Sequence, residues 1–461
     1  KKCIDCRDML NLSPKIRFEQ KILDSCLSFS DSKWMVTAKY NRNITSMQTL
    51  ESQTLNFQYK LEQKLSRNDD LKNGLNAAIQ RRVDEGTFVF LSDLIKERPH
   101  LQKHKFIFSP INFSLKMSSE RNKVRPVVNA SFKPGQSDFS YNECQFTGSS
   151  LNKNLQVILL WGSQFRLISV NDINDFYQTL SLSDQDICLN AMKFRRGGFC
   201  SDSPMETLVS TKLNYGLRMA QYLSNKAKFL TSDKFTKPYN EEAHKQLDYS
   251  ITDDIFHGAG DHDHLKQLRQ STEAGLLKGG FKLKSWRTSY DDLDPLVVGV
   301  KDTDWGGVLG LQWSPRSDTI KIPVNLNVCE RIRGARDISG QINSVDDIKR
   351  LITPDKLTKT ALLRLINTIF DPLMYFVQVK CILNLTYRKA LRLSGKIGWN
   401  DLVNPAIMPD VITAVTMLLE IRDIEIPRYA AQGITGNEAH LCISSDGGLE
   451  ASCCRLFLRY P

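Results

Sequence analysis

Three aspartates carry the strongest chemical signal in the sequence. Asp253 and Asp254 are adjacent in the stretch SITDDIFHGAG, and Asp172 follows the apolar run FRLISVN. Adjacent carboxylates repel each other and favour neither helix nor sheet, so a pair of them needs a reason. Carboxylates at the ends of neighbouring strands can hold two Mg²⁺ ions, which prefer oxygen ligands and can activate a hydroxyl nucleophile. The alternative interpretation is a solvated turn that bears two acids, with Asp172 unrelated to them.

The composition limits the classes of partner. The chain has 461 residues, which is too long for one ordinary core, so two or more packed units are expected. There are 62 Lys and Arg against 51 Asp and Glu, a net charge of +11. This balance favours a polyanionic partner. No segment approaches the roughly 18 apolar residues of a membrane span, so we expect nucleic acid and no membrane.

The 11 cysteines are an odd number and lack the spacing of a disulfide-rich module. Such usage is typical of reduced thiols in an intracellular protein.

Two amphipathic helices are predicted with their ends. Asn68 can cap a helix that ends before Gly86, and Thr358 can cap a second helix that ends at Asp371 and Pro372. Residues 204–231 are also predicted to be helical, with a break near residues 214–216.

The acidic residues are expected at strand ends. Residues 165–171 read as an apolar strand that delivers Asp172, and the SITDDIFHGAG stretch reads as a hairpin with Asp253 and Asp254 at its tip. Residues 121–129 read as a basic strand whose Pro126 indicates an edge or a bulge.

A succession of motifs accompanies these aspartates. In chain order they read KVRPVVNAS, NDINDFY, YGLRMAQYLS, ITDD, GGFKLKSW, LGLQW and TKTALLRLINTIFDPLM. This order resembles the reverse transcriptase region of Bel/Pao-type LTR retrotransposon polyproteins, and the last motif is long and specific to that class. The stretch HLCISSDGGLEAS resembles the first RNase H strand of the same family. The resemblance covers the chain from about residue 60 to its end.

The resemblance implies an α+β fold of the right-hand polymerase type. It would have fingers, a palm with an antiparallel sheet, a helical thumb, and the truncated start of an RNase H-like domain. The expected organisation is an N-terminal extension over 1–60, fingers and palm over 61–315, a thumb over 316–398, a linker over 399–436, and the RNase H-like start over 437–461.

The same resemblance implies an RNA-directed DNA polymerase. Its expected partners are an RNA template, a DNA or tRNA primer and deoxynucleoside triphosphates, and its expected cofactor is two Mg²⁺ ions, with Mn²⁺ as a substitute. The protein is expected inside the cell, in a cytoplasmic particle and also in the nucleus.

Residue by residue, the family motifs imply roles in the active site. Asp172, Asp253 and Asp254 match the catalytic metal ligands. Residues that match nucleotide-binding positions are Lys123, Arg125, Tyr177, Tyr215 and Gly216. Arginine suits the triphosphate because its guanidinium is always charged and binds phosphate through two donors. Each role has a purely structural alternative. Lys123 and Arg125 could belong to an exposed basic strand, and Tyr177 could be a core aromatic residue. Tyr215 and Gly216 could mark a helix break.

Two further motifs imply roles outside the catalytic centre. Leu309, Gly310, Leu311 and Trp313 match the primer-grip hairpin, with a buried strand as the structural alternative. Asp446 matches the first RNase H carboxylate, with a turn aspartate as its alternative.

Departures from the family pattern leave a second function open. Asn129 stands where the family has Asp, Ala220 and Gln221 replace Ser-Pro, and Ile251 and Thr252 replace the usual Tyr-Val. The alternative is therefore a catalytically inactive or domesticated nucleic-acid-binding protein derived from a retroelement. The intact Asp172, Asp253 and Asp254 argue against it.

Histidines near the acidic pair offer a weaker metal site. His257, His262 and His264 lie close in sequence to Asp261 and Asp263. Asp261 or Asp263 is expected to cap the next helix, and a solvated turn is favoured over a transition-metal site.

Overall fold

The computed structural model describes residues 12–116, 123–133, 139–289, 305–327, 340–429, 440–447 and 452–459. The chain divides into two compact units. Unit 1 comprises Lys1–Lys153, Asn171–Ile255 and Lys266–Lys284, and unit 2 comprises Asn154–Val170, Phe256–Leu265 and Ser285–Pro461. The described elements mix helices and largely antiparallel sheets, which confirms the predicted α+β class.

The helices of the described residues are distributed along the whole chain. They are α1 (Pro14–Asp24), α2 (Glu51–Leu65), α3 (Asp69–Asp84), α4 (Leu91–Glu97), α5 (Leu155–Gly162), α6 (Asp184–Cys188), α7 (Ala220–Phe235), α8 (Glu241–Gln246), α9 (His262–Leu277), α10 (Val345–Leu351), α11 (Lys359–Ile366), α12 (Val377–Ser394) and α13 (Met408–Ile421). None of them is both long enough and apolar enough to cross a membrane.

The strands are short and belong to several small sheets. They are β1 (Leu27–Ser30), β2 (Lys33–Val36), β3 (Phe88–Phe90), β4 (Ile111–Lys116), β5 (Lys123–Val128), β6 (Leu167–Asp172), β7 (Ser181–Leu182), β8 (Ala191–Arg195), β9 (Met205–Ser210), β10 (Asp254–Ala259), β11 (Arg287–Thr288), β12 (Gly306–Val308), β13 (Leu311–Ser314), β14 (Thr319–Lys321), β15 (Ile426–Pro427), β16 (His440–Gly447) and β17 (Ser452–Arg459). The sheet orders are β1-β2-β7, β3-β9-β8, β4-β5, β10-β6-β11, β12-β13-β14-β15 and β16-β17.

Unit 1 has a core in which α2 and α3 pack with the β3-β9-β8 sheet. The buried apolar side chains of this core include Leu65, Leu75, Ile79, Phe194 and Leu208. Burial of such side chains stabilises the unit by roughly 1.5–3 kcal/mol each. The core fixes α3 and the β4-β5 hairpin, because Val128 of β5 belongs to the same cluster.

The predicted helix that begins after Asn68 is confirmed as α3. The Asn68 side chain accepts a hydrogen bond from the Leu71 amide at 3.0 Å, which satisfies an otherwise unpaired donor of the first turn. Gly86, with φ +68°, follows the helix end.

The helix predicted over residues 204–231 is wrong in its first part. Residues Met205–Ser210 form β9, which pairs with β3 on one side and β8 on the other. These backbone partners come from β3, which is far away in sequence, and from β8, the preceding strand, so a pattern within residues 204–210 does not reveal them. The helix α7 starts only at Ala220, and the Met219 carbonyl accepts from the Leu223 amide.

In unit 2, Thr358 caps α11 as predicted, and its hydroxyl accepts from the Ala361 amide at 3.1 Å. The helix nevertheless ends at Ile366, before the predicted end at Asp371. Ile369 instead forms a β-bridge with Val324, which takes the chain out of helical geometry.

The segment predicted as a linker, 399–436, contains the helix α13, which packs against α10 and α12. Its buried residues recur at helical spacing and include Val411, Val415 and Leu418. The domain boundaries themselves stay predictions.

The strand pair expected at the end of the chain is present as β16 and β17. They pair in antiparallel register from His440 opposite Arg459 to Gly447 opposite Ser452. Asp446 lies opposite Cys453, but its side chain falls outside the described residues, so its role stays a prediction.

Candidate active site

Strand ends bring Asp172 and Asp253 to the same place in unit 1. Asp172 is the last residue of β6, a strand whose preceding residues are buried. The next residue, Ile173, donates its amide to the Asp253 carbonyl at 2.9 Å. On the other side, the Lys284 amide donates to the Asp172 carbonyl at 3.0 Å. Backbone pairing therefore connects both predicted acids, as well as a lysine that the motifs did not single out.

The paired aspartates lie on a tight turn rather than at the tip of a long hairpin. The Ile251 amide donates to the Asp254 carbonyl at 2.9 Å, and the Asp254 amide donates back to the Ile251 carbonyl at 2.8 Å. Thr252 and Asp253 are the central residues of this turn, and Asp254 is the first residue of β10. The predicted location of the acids at a turn is correct, although Asp254 already belongs to the strand.

The carboxylates are partly buried and repel one another. Burial, followed by the charges of Asp253 and Asp172, raises the pKa of Asp254 to about 7. Burial, followed by the Asp172 charge, also raises the pKa of Asp253. Such shifts mark Asp253 and Asp254 as partly desolvated carboxyl groups that lie close to other negative charge.

Lys284 supplies part of the compensating charge. Its ammonium donates to Asp172 Oδ2, and both side chains remain partly exposed. The other oxygen, Asp172 Oδ1, is buried and has no hydrogen-bond partner among the residues that the structure describes.

The three predicted metal ligands do not form a preformed metal-binding site in the described structure. Among the described residues, no group of three or more His, Cys, Asp or Glu side chains is close enough to share a metal ion. This finding covers the predicted set of Asp172, Asp253 and Asp254 as well as the histidine run. Asp261 accepts from the His264 amide at 2.8 Å, so it caps α9 as expected.

A cavity of about 570 Å³ opens over Asp172 and Asp253. Its walls combine acidic residues with cationic side chains from α3, β5 and the Lys284 segment. The lining residues are Gly74, Ala77, Ala78, Arg81, Arg82, Val124, Arg125, Pro126, Asp172, Ile173, Asn174, Asp175, Gln178, Tyr215, Asp253 and Lys284. Of the predicted site residues, Asp172, Asp253, Arg125 and Tyr215 share this cavity, whereas Asp254, Tyr177 and Gly216 do not line it.

Two aromatic side chains, Tyr177 and Tyr215, pack against each other at the wall of the cavity. The rings of Tyr177 and Tyr215 meet edge to face, with their centroids 5.0 Å apart. Burial raises the pKa of Tyr177 to about 12, and the Asp253 and Tyr215 charges act in the same direction. Tyr177 therefore stays a neutral phenol and supports the wall that Tyr215 forms.

Gly216 is required by a close backbone approach. Its φ is +100°, and a Cβ atom at this position would lie 2.1 Å from the Val128 carbonyl oxygen of β5. No other residue type fits that conformation and that distance. Gly216 also lines a second cavity of about 290 Å³, together with Asn129 and other residues of the β4-β5 region.

An ion pair missed by sequence reasoning fixes the loop after Asp172. Arg82, which is 6% exposed, donates to Asp175 Oδ1 at 2.5 Å and to Glu85 Oε2 at 2.9 Å. Asp175 has a φ of +48°, an uncommon conformation outside glycine. The acidic Asp175 inside NDINDFY was the only local signal of this contact.

The side chain of Lys123 lies outside the described residues, although its backbone begins β5. Its proposed contact with the triphosphate stays a prediction.

The predicted primer-grip residues form the β12-β13 hairpin of unit 2. Leu309 and Gly310 make its two-residue turn, with φ values of +50° and +86°. Leu311 and Trp313 are buried, and the Trp313 indole donates to Asp318 Oδ1 at 3.0 Å. These side chains serve the core of unit 2, whereas Gln312 on the same strand is exposed.

Comparisons with known proteins give a family match over part of the chain and a likeness to solved structures. Residues 358–461 match the family profile "Pao retrotransposon-like RNaseH-like domain". The solved structure of the foamy viral protease-reverse transcriptase dRH in complex with ds DNA aligns with 97% of this chain and 66% of its own, at 12% identity and a TM-score of 0.49. The chain thus spans just under two thirds of that protein. No curated protein sequence matches the chain.

The family match starts at Thr358, inside the segment predicted as the thumb, and runs through α11 to the β16-β17 pair. It includes the TKTALLRLINTIFDPLM motif, which is specific to the class, and the HLCISSDGGLEAS stretch. The match agrees with the Bel/Pao resemblance predicted from the sequence, and it covers residues 358–461.

Proposed function

We propose that the chain is an RNA-directed DNA polymerase that adds deoxynucleotides to a primer 3′ end. The observation that carries the proposal is the cavity in which Asp172 and Asp253 face Arg125, Arg82 and Lys284. A nucleoside triphosphate needs cationic groups for its phosphates and acidic oxygens for its accompanying cations, and this cavity offers both. In the reaction, the primer 3′-oxygen bonds to the α-phosphorus while the bond to pyrophosphate breaks.

The oxygen donors are of the type that divalent cations prefer, although the three carboxylates must come closer together to share one ion. Asp172 and Asp253 offer hard carboxylate oxygens, and Asp172 Oδ1 has no hydrogen-bond partner in the described part of the chain. Asp254 lies close enough to them for their charges to raise the pKa of its carboxyl, and a bound cation would favour its ionised form. When bound, Mg²⁺ or Mn²⁺ would stabilise the charge that develops on the attacking and leaving oxygens. Because Lys284 holds Asp172 Oδ2, a cation there requires the lysine to move away from that oxygen.

The residues of the chain itself perform binding and orientation. Arg125 is exposed on β5 and lines the cavity, where it is suited to bind the triphosphate through two donors. Tyr215, supported edge-on by Tyr177, forms a flat wall for the nucleotide. Catalysis of this kind depends mainly on positioning and on charge neutralisation.

The whole chain provides the nucleic-acid surface in this proposal. Its net charge of +11 favours an RNA template with a DNA or tRNA primer. In this proposal the protein is located in a cytoplasmic particle and also in the nucleus.

Primer extension tests the proposal directly. The chain is incubated with a DNA primer annealed to an RNA template, deoxynucleotides, and Mg²⁺ or Mn²⁺, and Asp172→Asn serves as the inactive control. Extension by the wild type that is lost in Asp172→Asn supports the polymerase. Tight binding of the primer–template without extension under either metal would support the inactive, nucleic-acid-binding alternative instead.

A further inference from the structure

A fully buried lysine lies on α7 in unit 1. Lys228 has 0% exposure, and its ammonium lies 4.9 Å from the ring centroid of Phe229 and 5.6 Å from that of Phe176. Lysine is almost never fully buried unless it has partners, because removing an ammonium group from water is costly. Its position therefore indicates a specific use of its donors.

Two acceptors of Lys228 lie in and next to the turn that carries the paired aspartates. Its Nζ donates to Ser250 Oγ at 2.7 Å and to the Thr252 carbonyl at 2.8 Å. The Ser250 hydroxyl in turn donates to the Leu247 carbonyl at 2.6 Å. The ammonium thus joins α7 to the turn that presents Asp253 and to the residue just before that turn.

The turn needs such support because its conformation is strained. Thr252 has a φ of +54°, and a β-branched residue in the left-handed region is a genuine outlier. Conformations of this kind persist only when the surrounding contacts determine them. Besides Lys228, the Asn152 side chain contacts the turn and accepts from the Thr252 amide at 3.3 Å.

The lysine also bears on the charge of the site. Burial and neighbouring carboxylates raise the pKa of Asp253 and Asp254, and the positive charges of Lys284 and Lys228 act in the opposite direction. Lys284 approaches Asp172 from the exposed side, whereas Lys228 is buried. The two lysines therefore act in different environments, one solvated and one inside the protein.

We propose that Lys228 is a positioning residue, whose ammonium fixes the Thr252 carbonyl and the Ser250 hydroxyl so that the strained turn holds Asp253 toward the cavity. This inference rests on the proposed polymerase function and deepens it, because it assigns the support of the catalytic turn to a residue outside the family motifs. Lys228 itself does not touch substrate.

Two substitutions separate its roles, and a neighbour provides the control. Lys228→Met keeps the length of the side chain but removes its donors and charge, whereas Lys228→Gln keeps an N–H donor without the charge. Lys226→Met is the matched control, because Lys226 lies on the same helix but pairs with Asp24, at 3.2 Å.

Hydrogen exchange of the free protein provides a readout that is independent of activity. The amides of Ile251 and Asp254 close the turn. In Lys228→Met we expect them to exchange at least about tenfold faster, while peptides from α3 and β9 keep their rates. Lys228→Gln should fall between Lys228→Met and wild type, and Lys226→Met should match wild type.

Primer extension provides the second readout. With Lys228→Met we expect kcat to fall at least about tenfold, while the KM for deoxynucleotide stays within about twofold, because the cavity that binds the nucleotide is intact. A merely structural defect would lower the melting temperature and change all peptides together. If Lys228→Met does not fold, Lys228→Gln is compared with Lys226→Met by the same criteria.

Unchanged exchange at Ile251 and Asp254 in the folded Lys228 variant would overturn the proposal, as would equal effects of Lys228→Met and Lys226→Met. A wild type that extends no primer would contradict the polymerase function alone, since the exchange experiment still decides whether Lys228 holds the turn.

Discussion

At the scale of single residues, the carboxylate of Asp253 is the most decisive group. Asp253→Asn removes a negative charge and a candidate metal ligand at the cavity, but the cationic side chains stay in place. We expect primer extension to fall at least about 100-fold, with primer–template affinity within about twofold of wild type. Extension and binding are measured on the same preparations, and the exposed Asp202→Asn serves as the control. Substantial extension by Asp253→Asn would exclude a metal-ligand role for this residue.

Asp254 makes folding stability depend on pH in a predictable direction. Burial, then Asp253 and Asp172, raise its pKa from 3.8 to about 7. An acid with a raised pKa in the folded chain binds its proton more tightly there, so its favourable contribution is complete below pH 3.8 and is lost as the pH rises through 7. Without divalent cations, Asp254→Asn should be more stable than wild type at pH 8, by at most about 4 kcal/mol.

The same two chains should have similar stability near pH 3.5, because both side chains are then neutral. Denaturant unfolding at several pH values measures the difference. An Asp254→Asn chain that is less stable than wild type at pH 8 would show that the ionised carboxylate is well compensated.

Tyr177 provides a prediction on substrate choice. Its ring contacts Tyr215, which lines the cavity, so Tyr177→Val should loosen the wall near the sugar of the nucleotide. We expect Tyr177→Val to raise incorporation of ribonucleotides relative to deoxyribonucleotides, whereas Tyr177→Phe keeps the ring and behaves as wild type. Relative kcat/KM for the two nucleotide classes is the measurement. Equal discrimination by wild type and Tyr177→Val would identify Tyr177 as a core aromatic residue only.

The types and order of the candidate catalytic acids could be predicted from the sequence, but the lysines that offset their charge could not. Asp172, Asp253 and Asp254 lie in recognisable motifs next to strands. Lys284 and Lys228 act on them only through tertiary contacts, in which a side chain meets a residue far away in sequence. No local pattern distinguishes such lysines from ordinary surface lysines.

At the scale of elements, Gly216 allows the segment that precedes α7 to pack closely against the backbone of β5. In Gly216→Ala the new Cβ would meet the Val128 carbonyl oxygen at 2.1 Å, in a conformation that alanine rarely adopts. Gly86→Ala is the matched control, because Gly86 also has a positive φ but has no atom within 4 Å of the Cβ position. We expect a loss of more than about 3 kcal/mol for Gly216→Ala and about 1 kcal/mol for Gly86→Ala.

Denaturant unfolding measures both glycine variants. Equal losses would mean that backbone conformation alone matters and that β5 moves away at little cost. In that case extension activity should still separate the variants, because β5 carries Arg125 into the cavity.

Helix caps could be predicted because they depend on adjacent residues. Asn68, Thr358 and Asp261 each accept the amide hydrogen bond expected of a cap. Helix ends and strands that depend on partners elsewhere in the chain could not be predicted in this way. The bridge from Val324 to Ile369 shortens α11, and the pairing of β9 with β3 and β8 overrides a helical pattern.

At the scale of the whole molecule, the net charge of +11 is compatible with both candidate functions. A polymerase and an inactive binding protein would each neutralise phosphates with Lys and Arg and release condensed counterions. Binding of an RNA–DNA primer–template should therefore weaken steeply with salt. The slope of log affinity against log salt concentration should correspond to several phosphates, at roughly −0.7 to −0.9 per contact.

A substitution in the cavity separates nucleotide binding from this general electrostatic binding. Arg125 is proposed to bind the triphosphate, so Arg125→Ala should leave the salt slope for primer–template nearly unchanged while raising the KM for deoxynucleotide about tenfold or more. Fluorescence anisotropy at several salt concentrations measures the slope, and steady-state extension measures KM. A flat slope in the wild type would contradict both functions, because neither can bind a polyanion without counterion release. A slope that falls by about one contact in Arg125→Ala, with KM unchanged, would instead place Arg125 on the nucleic-acid backbone.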